Sequence, residues 1–258
     1  MHTLGEGTRV DSQGFQLSNA WGRVSSEGRV NATHETPRVA FGCGNTSPRR
    51  DVRLVAHPSF VTMTTYTDPK AAVAHAVAEY QATADTGALF TTLDRISAAA
   101  MPDALIEAAE PFRTIPEVAG PLYEKVVEAQ PTNARALVIL ANAYWLSGRG
   151  PVVVGELAAR AIAADPSNRG GWHMWALSES DPRDRTTRWK QIVDRFPEDE
   201  LAMANLADNA AALAGAEKDY DALDLAVYTY ESLLERATLP EQRDALDTAL
   251  RSLRGWKF

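Results

Sequence analysis

The stretch from Asn133 to Pro166 decides the fold, and it reads NARALVILANAYWLSGRGPVVVGELAARAIAADP. In its first half, large apolar residues from Leu137 to Tyr144 recur three, four and seven positions apart, so they share one face of a helix. In its second half, Val154, Ala158 and the residues up to Pro166 follow the same helical spacing. The stretch therefore predicts two consecutive helices closed by a proline-containing loop.

The closing loop recurs along the chain. The segments AQPTN at 129–133, ADPSN at 164–168 and RFPED at 195–199 place their prolines 35 and then 31 residues apart. Each proline follows one predicted helix and precedes another. A fixed period of this size is the signature of a helical repeat protein, in which each unit stacks on its neighbours.

The repeating pattern resembles that of the tetratricopeptide repeat (TPR) family, W-x2-L-G-x2-Y on a first helix, A-x3-F on a second and a closing proline. The first-helix positions read Leu137, Leu140, Ala141, Tyr144; Trp172, Trp175, Ala176, Glu179; and Met203, Leu206, Ala207, Ala210. The second-helix positions read Ala119, Tyr123, Val126; Val154, Ala158, Ala161; Arg185, Trp189, Ile192; and Ala226, Tyr230, Leu233. The resemblance implies an all-α fold, an α-α superhelix or TPR-like solenoid of antiparallel helix pairs.

Side-chain size explains the pattern. Large residues would fill the space between paired helices, and the alanine common to the three copies would lie where two helices approach most closely. Glu179 and Arg185 depart from the pattern, since they replace an aromatic and a small residue. We expect the middle repeat to be shortened in its turn at Ser180–Pro182 and the last to gain residues around 215–221. Because of these irregular lengths, related helical-repeat families remain possible.

The chain divides into two regions of different composition. Residues 1–62 are rich in Gly, Ser, Thr and Asn and have no helical or strand period, so we expect a disordered N-terminal arm. Since helical patterning begins just after Met63, translation starting there would make this arm a start-site artefact. We expect a TPR-like domain over 63–258, with divergent helices at 68–130, three repeats at 134–238 and a capping helix at 240–254.

Composition excludes several classes of partner. The net charge is −8, with +2 on residues 1–62 and −10 on the remainder, and such an acidic body repels phosphate backbones and anionic lipids. We therefore expect neither a nucleic-acid nor a membrane partner. Cys43 is the only cysteine, so no internal disulfide can form and a cytoplasmic location is the default expectation.

The sequence offers no recognisable catalytic motif. It contains no G-x-S-x-G, H-E-x-x-H or G-x-x-x-x-G-K segment. Cys43 has no positioned partner, and Asp219, Asp221 and Asp224 lack the loop of a calcium site and fit a charged helix start better. We therefore expect no catalytic residue, no cofactor and no metal, and predict that the protein is not an enzyme.

The resemblance to the TPR family implies a concave groove lined by the first helices, which would hold a peptide or a helix of a partner protein. Nine residues occupy the groove-facing positions: Arg135, Val138, Asn142, Trp145, His173, Leu177, Leu201, Asn205 and Asp208. Asparagine amides can bond both the N–H and the C=O of a bound backbone. Members that hold a terminal carboxylate add several lysines, which are missing here.

Three functions remain open from the sequence. The leading hypothesis is a protein–protein interaction scaffold that binds a partner segment in the groove. The alternatives are a helical enzyme, or an accessory domain of one, with a pocket near His173, Trp175 and Glu179, and a structural homo-oligomer. His173 itself fits either a ligand contact or a packed, partly exposed histidine. The oligomeric state is not encoded in any feature of the sequence.

Overall fold

The computed structural model describes residues 68–258, and within that range the regular secondary structure is all helical, with no strand. A short 3-10 turn, Glu110–Phe112, follows the third helix. The eleven α-helices are α1 Pro69–Thr83, α2 Thr86–Ala99, α3 Pro102–Ala109, α4 Pro116–Ala129, α5 Ala134–Leu146, α6 Pro151–Ala164, α7 Arg169–Leu177, α8 Pro182–Arg195, α9 Glu200–Glu217, α10 Tyr220–Arg236 and α11 Pro240–Arg254.

Local sequence sets where these helices begin. Asp68 caps α1 by accepting a hydrogen bond from the Lys70 N–H at 3.0 Å, and Pro69 occupies the first helical position, where its missing N–H costs nothing. The three recurrent loops cap α5, α7 and α9 in one way. The capping residues there are Asn133, Asn168 and Asp199, each accepting a backbone N–H three residues later.

The helices pack in sequence order as pairs. The pairs α5–α6, α7–α8 and α9–α10 each form one unit, and the second helix of a unit also packs on the first helix of the next. The first helices α5 and α7 also touch. The described chain is therefore an all-α, TPR-like stack of helix pairs, as predicted.

Small residues lie where the stack needs them. Ala141, Ala176 and Ala207 occupy the same repeat position on α5, α7 and α9, and each is 0% exposed. A larger side chain there would push two helices apart, because protein interiors are close-packed. The complete burial of these three alanines fits the predicted role, and their place at the closest approach of two helices stays a prediction.

Trp172 and Trp175 are two of the large residues expected to fill the space between paired helices. Both are only half-buried, and their rings contact each other edge-on at 5.6 Å between centroids. Guanidinium groups from α8 cover them, with Arg188 at 4.5 Å from the Trp175 ring centroid and Arg195 at 5.0 Å from that of Trp172. An Arg-rich second helix thus replaces apolar cover with cation–π contacts.

Unequal repeat length resides in the helices rather than in the turns. The α5–α6 and α7–α8 turns each span four residues, 147–150 and 178–181, whereas α5 has 13 residues and α7 has 9. The prediction that the middle repeat is shortened in its turn is therefore wrong. The gain in the last repeat lies in α9, which has 18 residues.

The last helix, α11, has one buried face and one polar face. Leu246, Ala249, Leu250 and Leu253 are buried, while Glu241, Asp244 and Arg251 are exposed. None of the helices within 68–258 is long and apolar enough to cross a membrane. The predicted arm and the start at Met63 lie outside the described residues, and the division of the rest into divergent helices, repeats and a cap stays a prediction.

Candidate partner-binding surface

The first-repeat residues predicted to line the groove lie along α5. They differ in whether their side chains already have hydrogen-bond partners within the protein. The Arg135 guanidinium donates to the Glu110 carboxylate at 2.7 Å, and Arg113 donates to the same oxygen at 2.6 Å. Asn142 is half-buried, and its amide has no hydrogen-bond partner among residues 68–258. Trp145, one turn further on, is 40% exposed. Asn142 and Trp145 are therefore the α5 groups left open to a partner.

Val138 marks the contact between the first helices of two repeats. A Cβ atom placed on Gly170 of α7 would lie 2.9 Å from the Val138 Cγ1 atom, well inside normal contact. Glycine at 170 thus permits the close approach of α5 and α7. Because α5 and α7 touch here, the groove residues predicted on the first repeat lie on a helix that adjoins the helix of the second repeat.

His173 is engaged inside the protein. Its Nε2 atom lies 2.8 Å from the Asp199 Oδ2 atom, and the two side chains are 17% and 6% exposed. The other Asp199 oxygen, Oδ1, accepts the Ala202 N–H at 3.1 Å and so caps α9. A half-buried histidine held in this way joins α7 to the start of α9, which is a structural role rather than an open ligand contact.

Charge and burial act in opposite directions on Asp199. Burial of its carboxylate is the largest single influence and would raise the pKa. The hydrogen bond from His173, the positive charge of that ring, the Ala202 N–H and the Arg169 guanidinium at 4.0 Å together outweigh burial and lower the pKa below its usual value. Asp199 therefore stays ionised at neutral pH.

The predicted groove residues of the third repeat have more of their hydrogen-bonding groups paired within the protein than those of the first repeat. Asn205 donates its amide N–H to the Leu201 carbonyl of its own helix at 2.8 Å, and Asp208 accepts from the Tyr230 hydroxyl at 2.6 Å. Leu201 is exposed, and Leu177 is half-buried and packs against buried apolar residues of the stack. Of the two asparagines predicted to bind backbone, only Asn142 thus makes no side-chain hydrogen bond within residues 68–258.

Buried aromatic residues with polar tips recur at one position of the second helices, where the sequence pattern predicts only core packing. They are Tyr123, Trp189 and Tyr230. The Tyr230 hydroxyl meets Asp208, whereas the Tyr123 hydroxyl and the Trp189 Nε1 are buried with no partner among the described residues. Burial first, and then the neighbouring Glu110 or Asp208, raises the pKa of both tyrosines, so the hydroxyls remain protonated donors.

The space between Trp175 and Glu179, where an enzyme pocket was the alternative hypothesis, is occupied by Arg188. Its guanidinium lies over the Trp175 ring, donates to the Trp175 carbonyl at 2.8 Å and pairs with Glu179 at 2.5 Å. Two surface depressions lie elsewhere, one between α1 and α2 and one between α10 and α11. The contacts of Arg188 with Trp175 and Glu179 therefore hold α7 against α8.

The acidic trio near α10 behaves as a helix start. Asp219 caps α10 by accepting the Ala222 N–H at 3.0 Å and also accepts from Arg183 at 2.8 Å. Within residues 68–258, no group of three or more His, Cys, Asp or Glu side chains is placed to hold a metal ion. The predicted capping role of Asp219 is confirmed.

Asp199 and Glu110 are the site residues that sequence reasoning missed. The sequence contains a signal for Asp199: the equivalent residues in the other two loops are the neutral Asn133 and Asn168, whereas Asp199 in the third loop is charged. Glu110 carried none, because it lies in a 3-10 turn and its partner Arg135 is 25 residues away on α5, a pairing that helical spacing does not indicate.

Comparison with known proteins yields distant structural likenesses only. No protein-family model and no curated protein matches the chain. A crystal structure of MamA is similar at 14% identity and a TM-score of 0.47, covering 67% of this chain and 99% of that one. A thermophilic TPR protein of Thermus thermophilus is similar at 18% identity and a TM-score of 0.45, covering 72% and 98%. A second MamA structure has 15% identity and a TM-score of 0.31, covering 68% and 91%. Since these TM-scores lie below 0.5, the assignment of a TPR-like helical repeat fold rests on the helix packing itself.

Proposed function

We propose that this protein is an interaction scaffold that holds a peptide or helical segment of a partner protein along the first helices of its repeats. The observation that carries this proposal is Asn142, a half-buried amide with no hydrogen-bond partner among residues 68–258. The amide atoms of Asn142 are not among the buried side-chain atoms that lack a partner within 68–258, so water reaches them, and a bound backbone can replace that water by supplying both a donor and an acceptor.

The residues around Asn142 suit a bound segment with an apolar anchor. Trp145 offers an exposed ring one turn away, and Val138 supplies apolar surface beside the α5–α7 contact. Arg135 at the other end of α5 stays more than half exposed although it pairs with Glu110. Binding would therefore centre on α5, with Leu177 and Leu201 extending the surface and with His173 and Asp208 supporting its shape.

A cytoplasmic setting fits this role because an interaction surface needs no disulfide, and the chain has a single cysteine. The partner would be another protein, since the acidic charge of −8 disfavours nucleic acid.

Site-specific photocrosslinking in the full-length chain tests the proposal. A photoreactive phenylalanine analogue replaces Trp145 in one variant and Tyr228, an exposed residue of α10, in the matched control. We expect one partner peptide to be captured at 145 and not at 228, and its yield to fall about tenfold when Asn142→Ala is added, the loss of about 1.4 kcal/mol expected for one hydrogen bond.

Asn205→Ala serves as the control for Asn142→Ala, because the Asn205 amide already donates to the Leu201 carbonyl. We expect this variant to retain the crosslink at 145. Equal capture at positions 145 and 228, or a crosslink that survives Asn142→Ala unchanged, would show that the α5 surface is not the binding site.

A further inference from the structure

The buried apolar residues of the stack form three separate clusters rather than one core. The first spans α1 to α7 and ends at Met174, and the second spans α9 to α11. The third, between them, contains only five buried residues, namely Ala176, Trp189, Ile192, Ala202 and Leu206. In a linear stack each unit is stabilised only by its neighbours, so the smallest cluster marks the weakest interface.

Few side chains bridge this small cluster to its neighbours. Leu177 is shared with the first cluster, and Val193 and Leu225 are shared with the second, and all three are only half-buried. Helix α7, which supplies part of the interface, has only 9 residues. The apolar contacts at α7–α8 are thus fewer than those on either side.

A buried polar link crosses the same interface. His173 on α7 lies 2.8 Å from Asp199 at the start of α9, and the His173 ring packs on Trp189 of α8 at 5.5 Å between centroids. Arg169 approaches Asp199 from α7 at 4.0 Å. Nearby, Arg236 of α10 donates to the Pro197 carbonyl at 2.9 Å and pairs with Glu198 at 3.2 Å.

We propose that the α7–α8 pair is a joint between two more rigid parts of the stack, α1–α6 and α9–α11, and that the His173–Asp199 pair is the latch that holds the joint in one position. A buried charged hydrogen bond favours one geometry strongly, whereas the small apolar interface alone tolerates several. Opening the latch changes the spacing of α7 and α9, which both carry residues of the predicted groove. The joint does not depend on the proposed partner.

The latch can be broken without removing the helix cap. Asp199→Ser keeps one side-chain oxygen to accept the Ala202 N–H, because serine is a good capping residue, but it cannot reach His173 with a second oxygen. Spin labels on Val152→Cys in α6 and Tyr228→Cys in α10, in a Cys43→Ser background, report the distance between the two parts by pulsed electron paramagnetic resonance. Both labelled side chains are exposed, at 72% and 69%.

We expect one narrow distance distribution in the parent chain and a broader or shifted one in the Asp199→Ser variant. A second label pair, Tyr228→Cys with Glu241→Cys, lies within α10–α11 and should be unaffected by Asp199→Ser. His75→Gln alters an exposed histidine–carboxylate pair at 3.6 Å and should leave both distributions unchanged. Identical distributions across the joint in the parent and Asp199→Ser chains would overturn the proposal.

Hydrogen exchange on the unaltered chain gives an independent test if the Asp199→Ser variant folds poorly. The joint predicts that amides of 169–195 exchange faster than those in the interiors of α4–α6 and α9–α11. Uniform protection across these helices would equally overturn the proposal.

Discussion

Asp199 uses its two carboxylate oxygens for different purposes: Oδ1 accepts the Ala202 N–H and Oδ2 accepts from His173. Replacing it with alanine removes a helix cap, which costs about 1 kcal/mol, and leaves the partly buried imidazole without its partner, which costs about 1–3 kcal/mol more. We therefore expect Asp199→Ala to lower the free energy of unfolding by about 2–4 kcal/mol in urea denaturation at neutral pH.

The control for Asp199→Ala is Asp85→Ala. Asp85 caps α2 through the Ala88 N–H at 2.9 Å and is exposed, so its loss should cost only the cap, about 1 kcal/mol. Equal losses in the two variants would mean that the His173 link adds nothing to stability.

The lowered pKa of Asp199 gives its stabilising effect a defined pH dependence. Because the pKa is lower in the folded chain than in the unfolded chain, the contribution is fully present above the usual aspartate value near 3.9 and is lost as the pH falls through the folded value. The stability gap between the parent chain and Asp199→Ala should therefore narrow as the pH falls below about 4. A gap that keeps its full size well below pH 4 would contradict the lowered pKa of Asp199.

For single residues, the sequence predicts the role correctly where that role depends only on neighbours along the chain. The caps and the buried alanines follow from nearest neighbours and helical spacing. The spacing also identifies Glu179 and Arg185 as departures from the pattern, but it does not explain them. In the structure, Arg185 donates to Asn209 of α9 at 2.7 Å and Glu179 pairs with Arg188, so both residues are satisfied by partners on another helix. Helical spacing contains no information on such pairs.

The spacing of two helices, α5 and α7, depends on a single glycine. A Cβ at Gly170 would meet the Val138 Cγ1 at 2.9 Å, and valine has little rotational freedom with which to yield. Alanine normally stabilises a helix by about 0.5–1 kcal/mol relative to glycine, but overpacking costs about 1–3 kcal/mol. We expect Gly170→Ala to lower the free energy of unfolding by about 1 kcal/mol, measured by thermal and urea denaturation.

Two further variants isolate the contact. Gly120 lies inside α4, and a Cβ atom added there would have nothing within 4 Å, so Gly120→Ala should raise stability. Adding Val138→Ala to Gly170→Ala should recover part of the loss, which a double-mutant cycle would reveal as coupling. Additive effects of the two substitutions would show that α5 and α7 do not touch there.

Element lengths are the part of the fold that sequence reasoning assigns least well. The proline spacing predicts a shortened turn in the middle repeat, but the shortening lies in α7, because Asn168 caps the helix at its start and Leu177 ends it after 9 residues. The proline periodicity gives only the total length of a repeat. The period does not give how that length divides between helix and turn. In the structure the short α7 carries Trp172 and Trp175, which lie beneath Arg195 and Arg188.

Across the whole molecule, stability is distributed over separate apolar clusters that are linked only through neighbours. Leu137 is fully buried in the first cluster, and Leu250 is buried in the second. Truncating a buried leucine to alanine costs about 2–5 kcal/mol through lost burial and the cavity left behind. In a stack without one shared core, the substitution should lower the local stability mainly of the adjoining helices.

We therefore expect Leu250→Ala to speed amide hydrogen exchange in α10 and α11 while α4–α6 remain protected, and Leu137→Ala to produce the reverse pattern. The two substitutions remove the same side chain from equally buried sites, so each is the control for the other. Hydrogen exchange read by mass spectrometry on the full chain resolves these helices. Faster exchange throughout the described helices in both variants would mean that the stack unfolds as one cooperative unit, because in that case a loss anywhere lowers the protection everywhere.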